Sequence, residues 1–258
     1  MKGVTRLHDV IYVLCESSSA VLRFNATTHV RLTDFTIQDL RVPWDIAACE
    51  VTNQLYVADW QRCVWRMSAD GADTRRWLPK SPTPSETFKP WSLSVTSSHL
   101  LVTSNDSNQL IQFDAVGEEL IRVDLPGDVK PQHAVMSPTG TFIVSHYNTQ
   151  LEHYVSEVNA EGRVLRQFSG SRLLPLGWTP HVAVESHGNI FVAAYDNDRD
   201  SRSVLLLSPQ LELRRVIIDE HQLNYKEPRR LCYTERSGQL LVGLYGGGGI
   251  AMFDLLCQ

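Results

Sequence analysis

The residues that could do chemistry in this 258-residue chain recur at two kinds of place. One is just behind a proline that opens a short apolar stretch: Trp44 and Asp45, Trp91 and Ser92, Gln132 and His133, His181, and Arg229 and Arg230. The other is three residues beyond a recurring valine: Glu16, Trp60, Asn105, Tyr147, Tyr195 and Tyr245. Tyr and Trp, which supply four of these six, join apolar area to a polar tip, as binding surfaces require. The histidines and carboxylates are ligand types for a metal, but zinc wants three or four such donors together. Arg75-Arg76, Arg214-Arg215 and Arg229-Arg230 invite nucleic acid, against a formal net charge of −5. Gly246 to Gly249 invite phosphate, yet no Gly-Lys-Ser/Thr follows and no helical pattern starts there. Nothing resembles a Ser-His-Asp triad with a nucleophile elbow.

A repeat must position these residues. Ile11-Tyr-Val-Leu-Cys-Glu16, Leu55-Tyr-Val-Ala-Asp-Trp60, Leu100-Leu-Val-Thr-Ser-Asn105, Phe142-Ile-Val-Ser-His-Tyr147, Ile190-Phe-Val-Ala-Ala-Tyr195 and Leu240-Leu-Val-Gly-Leu-Tyr245 superimpose on their valines. Val13, Val57, Val102, Val144, Val192 and Val242 are separated by 44, 45, 42, 48 and 50 residues, the length of one four-stranded blade. About a dozen residues ahead of five of them, VPWDIAA, KPWSLSV, KPQHAVM, TPHVAVE and EPRRLCY place proline where a strand opens and needs no ladder donor. A turn and a third strand follow the valine segment (VLRFN, VWRMS, LIQFD, VLLLS, IAMFD), and in most units a fourth, such as GEELIRVDL or GRVLRQFSG. Short strands at regular intervals without helical periodicity exclude an α/β fold.

The pattern predicts an all-β fold, a six-bladed β-propeller of four-stranded antiparallel blades. The expected organisation is a single domain over 1–258, with blades near 1–41, 42–88, 89–129, 130–178, 179–226 and 227–258. IAMFDLLCQ reads as a third strand with no fourth after it, while GVTRLHD reads as the first strand of blade one. The last blade is therefore expected to have three strands and an open edge over 250–256, suited to strand addition by another chain. Composition is that of a soluble globular protein, 43% hydrophobic and 21% charged. No leader pattern opens the chain and no apolar run reaches membrane-spanning length. With five cysteines and no CxxC spacing, free thiols in a reducing, cytoplasmic setting are expected.

The Pro-x-x-(apolar)-x-(apolar), Leu-Tyr-Val-Ala-Asp and Gly-Glu-x-(apolar)-Arg elements resemble the NHL repeat, a six-bladed module found alone or at the C-terminus of tripartite-motif proteins. VPWDIAACEVTNQLYVADWQRCVWRMSADGADTRRW, in blade two, is most similar. The aspartate after Val-Ala stands only at Asp59, with Cys15, Ser104, His146, Ala194 and Leu244 elsewhere. The resemblance implies fold more strongly than function. Peptidyl-hydroxyglycine lyases have similar strand-opening motifs and hold zinc with channel-facing histidines. Thr179-Pro-His181 resembles such a motif, but Trp44, Trp91, Gln132 and Arg229 hold the matching places. His133 and Asp45 sit one place later, so the pleat is expected to point them differently from His181. If a metal were held, Asp45, His133 and His181 are its candidate ligands, with His146 and Asp59 in reserve. Six-bladed calcium lactonases suggest Asp45, Asp59 and Asn105 instead.

In a propeller the loops entering the first strand and leaving the second share one face around the channel mouth. The expected function is a non-enzymatic binding or scaffold module with no cofactor and no catalytic residues. It would recognise a protein partner through Trp44, Trp60, Trp91, His133, Tyr147, His181, Tyr195, Arg230 and Tyr245. RNA or a glycan is the alternative ligand, and a metal-dependent lyase or hydrolase the alternative class. Arg75-Arg76 and Arg214-Arg215 are expected on outer strands as solvated edge charges.

Overall fold

A computed structural model describes residues 1–16, 18–61, 63–79, 89–170, 176–177, 181–196, 201–246 and 249–255. Thr179 and Pro180 of one strand-opening motif, Gly247 and Gly248 of the glycine run, and Leu256 and Cys257 lie outside them. The chain divides into two compact units, residues 1–122 and 123–258.

Three sheets begin in the first unit. Blade one holds β1 (Gly3–Leu7), β2 (Val10–Leu14), β3 (Ala20–Asn25) and β4 (Phe35–Thr36). Blade two holds β5 (Pro43–Cys49), β6 (Gln54–Asp59), β7 (Cys63–Ser68) and β8 (Arg75–Leu78). Blade three holds β9 (Ser92–Thr96), β10 (His99–Ser104), β11 (Gln109–Phe113) and β12 (Glu119–Asp124). The second unit adds blade four, with β13 (Lys130–Met136), β14 (Phe142–Tyr147), β15 (His153–Val158) and β16 (Val164–Phe168). Blade five follows with β17 (Val182–Val184), β18 (Ile190–Asp196), β19 (Ser201–Leu207) and β20 (Leu213–Ile218). The last blade has β21 (Pro228–Thr234), β22 (Gln239–Leu244) and β23 (Ile250–Asp254). Strands are ordered along each sheet as along the chain, and the fold is a six-bladed β-propeller whose last blade has three strands among the described residues. The described residues contain no α-helix, only a 3-10 turn at Glu235–Ser237, and no helix long and apolar enough to cross a membrane.

The repeated valines explain why these sheets pack as blades. Each lies at the centre of its blade's second strand, and none is more than 2% exposed. A strand covered on both faces needs an apolar neighbour on each side, so one sheet supplies only part of the burial its sequence demands. Within the first unit Leu7, Tyr12 and Leu14 of blade one pack with Ile46, Leu55 and Val57 of blade two. Tyr12 carries its hydroxyl to the carbonyl of Ala69 at 2.7 Å, which satisfies the one polar atom of a fully buried ring. Blade two packs on blade three through Tyr56, Trp77, Leu100 and Val102. In the second unit Ile143 and Val155 meet Val192 and Leu205, and Phe191 and Val204 meet Leu231 and Leu240. The first hairpin of every blade turns through one residue of positive φ: His8, Asn53, Ser97, Gly140, Gly188 and Gly238. A tight hairpin requires that conformation, which explains the glycine at three of the six turns.

Leu55 is fully buried between blades, so Leu55→Ala should destabilise the protein by about 2–5 kcal/mol in chemical denaturation. Leu120, 47% exposed on an outer strand, should tolerate the same change within about 0.5 kcal/mol.

Candidate functional site

The first strand of each blade pairs with the second so that the repeated valine faces Val4, Ile46, Leu93, Ala134, Val182 or Leu231. One residue earlier stand Gly3, Asp45, Ser92, His133, His181 and Arg230, equivalent positions in their blades. This corrects the expectation that His181 points differently from Asp45 and His133. A bulge lies between Pro43 and Asp45, between Pro131 and His133, and between Pro228 and Arg230. It takes up one extra residue, Trp44, Gln132 or Arg229, and returns the strand to the register of blade five.

In the first unit the bulge residue Trp44 is the centre of an aromatic cluster. Its ring lies 4.6 Å from that of Trp91 and 5.4 Å from that of Trp60, centroid to centroid. Trp60 meets Trp91 edge-on at 6.2 Å. Lys2 Nζ stands 3.9 Å from the Trp44 ring centroid, a cation–π distance, and pairs with Glu16 at 2.9 Å. Lys2 and Glu16 hold in blade one the places that Trp44 and Trp60 hold in blade two. Sequence reasoning omitted Lys2 because no proline marks blade one, yet counting back from the valine register finds it. Trp60 is 42% exposed while Trp44 and Trp91 are half-buried, so the cluster presents one indole to solvent on a packed aromatic base.

Buried carboxylates hold that base in place. Asp59 is 1% exposed. Its Oδ1 accepts the N–H of Val42 at 3.1 Å and of Gln61 at 3.0 Å, and its Oδ2 accepts that of Arg41 at 3.1 Å. Trp60 N–H donates to Val42 O at 3.0 Å, closing the two loops on each other. Asp45 ties blade two to blade three: Oδ1 accepts Ile46 N–H at 2.9 Å and Oδ2 accepts Leu93 N–H at 3.0 Å. Each carboxylate is an acceptor for main-chain donors that would otherwise be buried unpaired.

In the second unit His133 and His181 come together, stacked with ring centroids 3.5 Å apart and planes at 24°. His181 Nδ1 accepts the N–H of Leu231 at 3.2 Å, and Leu231 follows Arg230 in the next blade. Burial holds the His181 imidazole well below the usual histidine range, assisted by His133 and Arg230. The nitrogen that accepts the Leu231 N–H is unprotonated, which matches a neutral His181 ring.

The tyrosines of this unit divide. Tyr195 is buried, and desolvation together with its hydrogen bond to Glu227 pushes its hydroxyl up to about 12. Arg229 lies 4.0 Å over the Tyr245 ring and 3.4 Å from the Glu227 carboxylate, leaving Tyr245 39% exposed. Glu227, missed in the sequence, joins Tyr195, Arg229 and Tyr245 into one network. Tyr147 turns toward His153, ring centroids 5.9 Å apart. His146 is buried with its Nε2 on Ser156 Oγ at 2.8 Å, and desolvation lowers it to about 4.

No family model and no curated protein sequence matches the chain. Solved structures do resemble it. A protein of unknown function from Bacteroides caccae superimposes with a TM-score of 0.70 at 14% identity, over 95% of this chain and 90% of its own. A gluconolactonase from Xanthomonas campestris gives 0.71 at 15% identity, over 97% and 84%. A streptogramin B lyase gives 0.66 at 10% identity, over 97% and 92%. At these identities the likeness establishes the propeller fold alone.

Asp59→Ala should cost on the order of 3 kcal/mol in urea denaturation, because three main-chain donors lose a charged acceptor. It should also shift tryptophan emission, since both loops of the aromatic cluster are released. His146 gives a pH signature. Its folded pKa lies below the unfolded value, so the unfolded chain binds more protons and stability falls as pH drops from about 6.5 to about 4. The loss is at most about 3 kcal/mol. Denaturation of His146→Gln across that window should be flatter than that of the wild type.

Proposed function

We propose that this protein is a non-enzymatic binding module that takes a protein partner on the Trp44–Trp60–Trp91 surface. The observation that carries the reading is the exposure of Trp60 on an aromatic base that Asp59 fixes from behind. A tryptophan partly exposed on an otherwise packed aromatic cluster is the usual form of an interface anchor. Because the loops are tied down before any partner arrives, little conformational freedom is lost on binding. The Lys2–Glu16 pair supplies the polar rim that such anchors use. In the second unit Tyr245, with Arg229 over its ring, presents the same surface type, whereas buried Tyr195 contributes by supporting Glu227.

Protein is favoured over RNA by the placement of the arginines. Arg75, Arg76, Arg214 and Arg215 are exposed on outer strands, and Arg229 is engaged by Tyr245 and Glu227. The NHL-repeat assignment remains our reading of the strand-opening prolines and the Leu-Tyr-Val-Ala-Asp segment. The free thiols of Cys15, Cys49, Cys63 and Cys232 support a reducing, cytoplasmic setting.

The test is affinity capture from cell lysate with the folded wild-type chain, Trp60→Ala and the outer-strand control Arg75→Ala. Proteins retained by wild type and by Arg75→Ala should be lost, or weakened at least about tenfold, with Trp60→Ala. Capture indifferent to Trp60 would overturn the reading. So would a stoichiometric zinc ion whose retention depends on His133 and His181, because it would place a metal-dependent enzyme first.

A further inference from the structure

β23 has β22 as its only strand partner among the described residues, while the third strand of each other blade has a fourth beside it. Burial differs from that of β15, while β3, beside the two-residue β4, is also mostly half-buried. Val155 to Val158 of β15 are all buried, whereas Ile250 to Phe253 of β23 are half-buried and Asp254 is exposed. The hydrogen bonds at the two ends of β23 fix which groups face outward. Leu244 N–H donates to Gly249 O, and Leu255 N–H donates to Gly238 O. By strand alternation the main-chain groups of Ile250, Met252 and Asp254 then point to the open edge.

Beside that edge lies a groove of about 530 Å³ between β20 and the last blade. Its floor is apolar, formed by Leu206 and Ile217 from blade five and by Tyr233 and Phe253 from the last blade. Arg214 and Arg215 of β20 form the charged wall. Two acids line it as well, each bonded to a neutral amide: Asp254 Oδ1 accepts from Gln239 Nε2 at 2.9 Å, and Glu185 Oε1 accepts from Asn189 Nδ2. The groove thus offers main-chain pairing along one side, apolar area below and cationic charge on the other side. Outer strands elsewhere in the chain show what fits beside a third strand: Phe168 of β16 and Ile217 and Ile218 of β20 tuck against apolar clusters while Leu165 to Gln167 and Leu213 to Val216 stay exposed.

We propose that the last blade is completed by a partner protein's extended segment, with apolar residues at alternate positions and acidic residues between or beside them. It adds to β23 as a fourth strand, lays its apolar side chains over Ile217 and Phe253, and sets its carboxylates toward the Arg214 side of the groove. This surface is separate from the tryptophan cluster, and neither reading depends on the other.

The probe is a fluorescein-labelled peptide of Gly117–Pro126 (GEELIRVDLP), which carries that pattern, titrated with the full chain by fluorescence anisotropy. Saturable binding is expected, weakened at least about tenfold by Arg214→Glu with Arg215→Glu and by Met252→Pro, which removes one outward N–H. A strand added at an edge uses only every other N–H, so N-methylation in one alternating register of the peptide should abolish binding and in the other leave it intact. That comparison needs no variant to fold. No saturable binding, or equal effects of the two methylation registers, would overturn the proposal. A concentration-dependent dimer in sedimentation that Met252→Pro abolishes would also overturn it, by giving the edge to a second copy.

Discussion

A sheet that is apolar on both faces cannot stand alone in water, and everything else in this protein follows from that constraint. Val57, Val102, Val144, Val192 and Val242 lose all contact with solvent because each blade lies against another. Non-directional burial fixes the side-by-side packing, whereas hydrogen bonds fix the details at the strand ends. Asp45 reaches across from blade two to Leu93, and His181 reaches from blade five to Leu231, in the same structural position with different chemistry. The position requires an acceptor for the next blade's main chain, and either a carboxylate or a neutral imidazole meets the need.

The architecture was legible because valine recurs at the centre of the second strand, where both faces demand an apolar residue. The position of side chains ahead of the first strand was less so. Counting from the prolines separates His181 from His133 by one place, whereas counting from the valines brings them together. The bulges at Trp44, Gln132 and Arg229 make the difference. A bulge leaves no reliable mark in a single sequence, since the extra residue can be aromatic, amide or guanidinium. Exposure was equally hidden. Trp60 and Tyr195 occupy matching places, but Glu227 and the packing of blade five draw Tyr195 inward while Trp60 keeps a face exposed.

The division of labour among polar residues is also informative. Asp59, Asp45 and His146 are buried and bonded to the protein itself, so their chemistry is consumed in holding loops and strands. Lys2, Trp60, Arg229 and Tyr245 lie at the ends of the first and second strands of their blades and keep a face toward solvent or toward a neighbouring side chain. Residues in adjacent places thus serve different ends, because successive side chains of a strand point to opposite faces.

Among the described residues, the hydrogen-bond donors to Asp59 are main-chain groups of the loops it joins, not the indoles those loops display. The geometry of the display is therefore independent of what is displayed. Substitutions at positions 44 and 60 can change the chemistry of this face while the anchoring carboxylate keeps the loops where they are. A lineage of such proteins could diverge in partner without renegotiating its fold, and a laboratory could randomise the same few positions on a frame that stays fixed.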